Sequence, residues 1–175
     1  TGLAEDRIRI VKGGDTIRLG QFEIRFLESR HGPSLFGRIP WPGRIDAPLV
    51  PPAAASDYRL GDTFTLLIRH PHGTLAHNGS AGYLPGMFDG IVADVVLLGI
   101  AGRADSRSLI DNVVVPLKAK TVIPIHYDHF FSPLDKPAKP LIGVNLKEFE
   151  KIAEAYKDHF RIRWIPIGES ARLFP

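Results

Sequence analysis

Residues 92–100 read VADVVLLGI, a nearly unbroken apolar run of strand length. A strand with one wet face alternates apolar and polar residues. This run does not alternate, so it predicts a strand covered on both faces. A second such run, TVIPI at 121–125, comes after residues 105–118, which read as a helix with Asp105 as N-cap and Pro116 ending or bending it. Strand, helix and strand in that order, preceded by alternating segments, specify a mixed α/β (α+β) sandwich. Its sheet is of mixed, largely antiparallel pairing, with helices on one face.

The alternating segments come first. Ile8, Ile10, Ile17, Leu19, Phe22, Ile24 and Phe26 recur with period two around turns at Gly13-Gly14-Asp15 and Gly20, which predicts a short antiparallel meander. Residues 62–69 and 74–77 read as two further strands joined by the turn His70-Pro71-His72-Gly73. The second ends in Asn78-Gly79-Ser80-Ala81-Gly82, small residues that let the backbone approach something closely. The clearest helix follows Asn145, its N-cap, with Glu148 as capping-box partner and an apolar stripe of Leu146, Phe149, Ile152, Ala153 and Tyr156. Residues 161–167 read as a closing strand. The length, 175 residues, suits one domain.

Charge and composition then remove whole classes of function. Lys and Arg total 22 against 19 Asp and Glu, a net charge of +3 without basic runs, which is a poor footprint for nucleic acid. Cysteine is absent, so there is no disulfide framework, no thiol nucleophile and no Cys-ligated zinc. Any metal must be held by His, Asp or Glu. No apolar run approaches the roughly 20 residues that span a bilayer. Residues 33–57 form a Pro- and Gly-rich stretch longer than compact domains usually leave unstructured, which predicts a lid loop over a small-molecule substrate. Phe36 and Trp41 would offer apolar contact, and Arg38 or Arg44 a partner for an anionic group. The plainer reading is a packed loop with solvated arginines.

Seven histidines and no cysteine raise a metal hypothesis. His159 suits a helix C-terminus, and His70 and His72 flank a proline in a turn that solvent reaches. With His77 beyond, His70 and His72 echo an H-x-H-x-D-H metal motif, but Thr74 and Leu75 stand where its Asp and last His belong. His31 and His126 differ from these because each directly follows an apolar strand. A strand end holds a side chain rigidly while leaving it reachable, although two ordinary loop histidines would look the same.

Three segments carry a family resemblance. Residues 22–33 (FEIRFLESRHGP), 77–83 (HNGSAGY) and 122–128 (VIPIHYD) resemble, in order and in strand-end placement, successive landmarks of the metallo-β-lactamase-fold hydrolases. The likeness runs from about residue 8 to 174 and is nearest to the branch of ascorbate-phosphate lactonases and phospholipase-D-type lipid hydrolases. It implies that His31 is the third histidine of a first metal and His126 the late histidine of a second. Ser80 falls where the family has a bridging Asp, and a neutral hydroxyl is a far weaker ligand. Asp128, His129, His77 or Ser80 could orient the ligands or substitute for one. The implied cofactor is one or two zinc ions, with iron or manganese as alternatives. The implied activity is hydrolysis of an ester, lactone, amide or phosphodiester bond by a metal-bound hydroxide. The alternative is a degenerate member that binds a ligand or partner without catalysis.

The family's N-terminal H-x-H-x-D-H motif is missing from these 175 residues. The chain is therefore expected to be the C-terminal half of an αββα sandwich. Its partner would be the N-terminal half, from the same gene or a second chain, and the sheet face left open should promote self-association.

Overall fold

The computed structural model describes residues 4–33, 37–39, 41–103, 105–133 and 135–174. Among these, seven strands form one sheet in sequence order: β1 Thr16–Leu19, β2 Phe22–Ser29, β3 Thr63–His70, β4 Gly73–Asn78, β5 Val95–Gly99, β6 Thr121–Ile125 and β7 Arg161–Ile162. The first four pair antiparallel, and β4 to β7 pair parallel. Because β2 and β4 both run against β3, the C-terminal ends of β2, β4, β5 and β6 come out at one edge of the sheet. His31, the 79–82 loop, the 100–103 loop and His126 follow directly from those ends.

One face of the sheet carries the core. Leu27, Leu67, Ala76, Val96, Leu98 and Val122 all point to it and pack with Leu109, Ile110, Val113 and Phe149 from the helical segments, all buried. The opposite face is apolar too, with Ile24, Phe26, Phe64, Leu66, Ile68, Leu75 and Leu97, yet each of these is only half-buried, and none belongs to the core cluster. Helices on one face and a mixed sheet are as the sequence predicts. β5 is covered on both faces as expected over most of its length: Val96 and Leu98 are sealed on the helix side and Val95 is buried on the other, with Leu97 alone half-buried.

Local departures have local causes. Ile8 and Ile10 are exposed and unpaired in any strand, so the meander begins only at β1. The helix over 105–118 is short: α1 Ser106–Leu109 opens with the Asp105 carboxylate accepting from Ser108 N–H at 2.6 Å, then widens to a π-helical stretch, Ile110–Val114, before Pro116. The strand expected over 161–167 stops at Ile162, ahead of Pro166, which has no N–H to offer a ladder.

In α2, Leu146–Glu154, Asn145 caps as predicted, its side-chain oxygen accepting from Glu148 N–H at 3.0 Å. Glu148 does not close a capping box. Its carboxylate turns instead to Arg103, at 2.8 Å, and to the Ser106 hydroxyl, also at 2.8 Å. That pairing ties the loop after β5 to the start of α2.

Candidate functional site

His31 and His126 leave strands that stand four places apart in the sheet, so bringing them together requires a chain segment to cross the edge. Residues 30–33 do this. Gly32 N–H donates to the Ser80 carbonyl at 2.9 Å, and a Cβ at Gly32 would stand 2.6 Å from the carbonyl oxygens of both Ser80 and Gly102. Only glycine fits there. Gly82 lies similarly tight against the Arg30 carbonyl, which is the close approach that the small-residue loop predicts. On the far side, Ile100 N–H donates to Ile125 at 3.1 Å and Ala101 N–H to His126 at 3.2 Å. The segments around the two histidines are thus joined through the loops after β4 and β5.

The joining is electrostatic as well as mechanical. His126 is half-buried, and its pKa is lowered, first by burial, then by the charge that His31 would carry, against a smaller opposing pull from Asp128. Its imidazole is therefore held in the neutral form that can donate a lone pair. His31 Nδ1 lies 2.7 Å from the Gly32 carbonyl, which can only accept, so Nδ1 carries a proton and Nε2 is the nitrogen left for a ligand. His126 also has a left-handed backbone, φ 52°, unusual for a residue with a Cβ and typical of positions held by function.

The other predicted residues are distributed around this pair. Ser80 is half-buried in the 79–82 loop, and its carbonyl serves Gly32. His77 lies on the open sheet face between Leu66 and Leu97, beneath Gly79, where an added Cβ would meet its ring at 2.7 Å. Asp128 is paired with Pro140 in an isolated bridge, and His129 Nδ1 is 3.5 Å from the Ser132 hydroxyl. Trp41 and Gly43 accept from Leu60 and Gly61 N–H groups, both at 2.9 Å, which sets the 41–44 turn beside the start of β3 at the site edge. Trp41 is half-exposed there, and Arg38 is exposed. Arg44 is already engaged, with both oxygens of Asp62 at 2.7 and 3.0 Å. Phe36 lies outside the described residues.

Three further residues contribute to this end of the sheet: Asn78, which the sequence reading places only in the small-residue loop, and Arg103 and Phe130, which it passes over. Asn78, buried at the end of β4, donates to the Gly82 carbonyl at 2.8 Å and to Thr65 Oγ1 at 3.3 Å. Arg103 bonds the Ile100 carbonyl, Ser106 and Glu148, so a single charged side chain stitches the loop after β5. Phe130 stacks on His126. Arg103 had a readable signal, as the first charge after a long apolar run.

Among the described residues, no group of three or more His, Asp or Glu side chains could hold a metal ion. A catalytic zinc takes three protein ligands and a water. His31 and His126 suit the donor chemistry, but the described residues alone do not complete such a site.

No family model matches the sequence, and no curated protein matches it. Solved structures do. The metallo-beta-lactamase fold protein YhfI from Bacillus subtilis aligns over 92% of this chain with TM-score 0.53 and 13% identity. The chain has the metallo-β-lactamase fold. Two further likenesses have lower scores. A Thermotoga maritima protein proposed to be a Zn-dependent hydrolase of the metallo-beta-lactamase superfamily has TM-score 0.45 and 13% identity over 82% of this chain. A Parabacteroides distasonis protein proposed to be a metal-dependent hydrolase has TM-score 0.49 and 14% identity over 90%. The chain spans 54% of the Bacillus metallo-β-lactamase-fold structure and 58% of each of the other two. No described helix is long and apolar enough to cross a membrane.

Proposed function

We propose that this chain contributes His31 and His126 to the metal centre of a hydrolase that cleaves an ester, lactone, amide or phosphodiester bond in a small molecule. The branch of ascorbate-phosphate lactonases and phospholipase-D-type hydrolases is the nearest in sequence landmarks. The carrying observation is the convergence at one sheet edge of two imidazoles, from the ends of β2 and β6, with His126 held towards its neutral form. Zinc is the first choice of metal for imidazole donors, with iron or manganese as alternatives. The remaining donors come from a second layer bearing H-x-H-x-D-H, the N-terminal half of the same fold. The apolar sheet face opposite the helices, half-buried at Ile24, Phe26, Phe64, Leu66, Leu75 and Leu97, supports such a layer.

The test is metal content of the undivided native protein. Near-stoichiometric zinc, iron or manganese that is lost on changing both His31→Ala and His126→Ala supports the reading. Metal no higher than in a blank preparation sinks it.

A second reading has its own support. Ser80 in place of a carboxylate, and the lack of a three-donor group among the described residues, favour a degenerate fold member that binds a ligand or partner without chemistry. Such a protein would hold no metal and show no hydrolysis of activated esters even when undivided.

A further inference from the structure

The ring of Phe130 lies almost parallel to that of His126, with centroids 5.6 Å apart and planes 10° from parallel. Phe131 in turn meets Phe130 edge-on at 6.2 Å and His129 edge-on at 5.7 Å. The four rings make a continuous row in the order His126, Phe130, Phe131, His129, and its two central rings are the exposed ones, Phe130 at 58% and Phe131 at 85%.

The loop that bears the row is braced at its base. Leu141 N–H donates to Tyr127 at 2.7 Å and His129 N–H to Lys139 at 2.8 Å, while Ser132 N–H closes a turn onto His129 at 3.0 Å. Tyr127 is anchored edge-on to Trp164 at 5.2 Å. A braced loop that keeps two adjacent phenylalanines exposed next to His126 offers apolar contact to a group that reaches that histidine.

We propose that Phe130 and Phe131 form an aromatic subsite that receives an aromatic ring of the ligand beside His126. The two rings stand 70° apart, and that corner lets a third ring stack on one while meeting the other edge-on, the two arrangements that aromatic pairs prefer. The subsite rests on the hydrolase reading in one respect only: that the His126 end of the row is where a ligand reacts.

Phenylacetate is a suitable probe, with acetate as the control for its carboxylate. In a titration of the undivided native protein followed by ring carbon–proton NMR correlations, phenylacetate should move the signals of Phe130, Phe131 and His126 and leave those of Phe22 and Tyr156 unchanged. Acetate should move none of them. Phe131→Ala, a change at a solvent-facing position that should not disturb folding, should weaken phenylacetate binding at least fivefold. His126→Ala should leave it within about twofold, because stacking on the phenylalanines persists.

Equal binding by the Phe131→Ala variant, or shifts spread evenly over Trp41, Tyr58 and the loop, would overturn the subsite. Metal content of the undivided protein reads the hydrolase proposal separately. Phenylacetate bound at Phe130 and Phe131 in a protein without metal would uphold the subsite while that reading fails.

Discussion

The side-chain nitrogen of Asn78 lies 2.8 Å from the carbonyl oxygen of Gly82. This contact closes the loop after β4 on itself, and the same loop accepts Gly32 N–H at the Ser80 carbonyl, so a core residue shapes the loop against which His31 is placed. Its oxygen, Oδ1, is buried and has no partner among the described residues, so the nitrogen's bonds set the amide orientation. Asn78→Ala should destabilise by about 2 kcal/mol, since it removes the bonds to Gly82 and Thr65 but takes the unpaired acceptor away with them. Asn78→Asp should cost about 3 kcal/mol or more, because it turns a buried carboxylate towards a carbonyl. Urea denaturation of the three proteins checks the order.

Arg103 and Glu148 are bonded at 2.8 Å, with the arginine side chain 8% exposed. Glu148→Ala leaves that guanidinium with only carbonyls and Ser106 for partners. A loss of about 2 kcal/mol is expected, below the range for a fully buried pair because Glu148 is 39% exposed. Replacing both, with Arg103→Met and Glu148→Leu, should recover part of the loss. A double-mutant cycle from thermal or urea melts reads the coupling.

His126 should titrate below the ordinary imidazole range. Burial is the leading cause and His31 the next, so His31→Ala should raise the His126 value part of the way back, and Asp128→Asn should lower it further. In linkage terms, the unfolded chain binds a proton at this residue at a higher pH than the native one. Stability contributed by neutral His126 is thus present above the unfolded imidazole pKa and is lost as pH falls from there through the lower folded value. NMR titration of the His126 ring in each variant, with melts on either side of the window, tests both statements.

The open sheet face makes a further expectation. Leu19 and Phe22, 56% and 48% exposed, border Ile24, Phe26 and Leu66 on a surface that no described helix covers. The isolated chain should self-associate, and Phe26→Lys with Leu66→Glu should reduce this without melting the helix-covered core. Light scattering over a concentration series decides: a monomer at all concentrations rules the expectation out.

Periodicity made the sheet legible, because the side chains that alternate in β2, β3 and β4 or run unbroken in β5 and β6 are those that pair. The TVIPI strand at 121–125 and the Asn145 cap were readable to the residue. The ends of the chain were not, since Ile8 and Ile10 alternate correctly yet find no neighbouring strand to bond. Glu148 shows a different limit. Its spacing from Asn145 suits a capping box, but a buried arginine from a loop 45 residues away competes for the same carboxylate and wins. At the site, His31 and His126 were readable as strand-end residues, while their proximity was not. It depends on carbonyls at Ser80 and Gly102 meeting a residue with no side chain.

Gly32 is therefore the point at which three loops share one position in space. None of them can be exchanged for a homologous loop of another length without displacing the other two. An engineer who wishes to retarget this end of the sheet would have to transplant residues 30–33, 79–82 and 99–103 as a set, and could vary the aromatic loop after His126 independently.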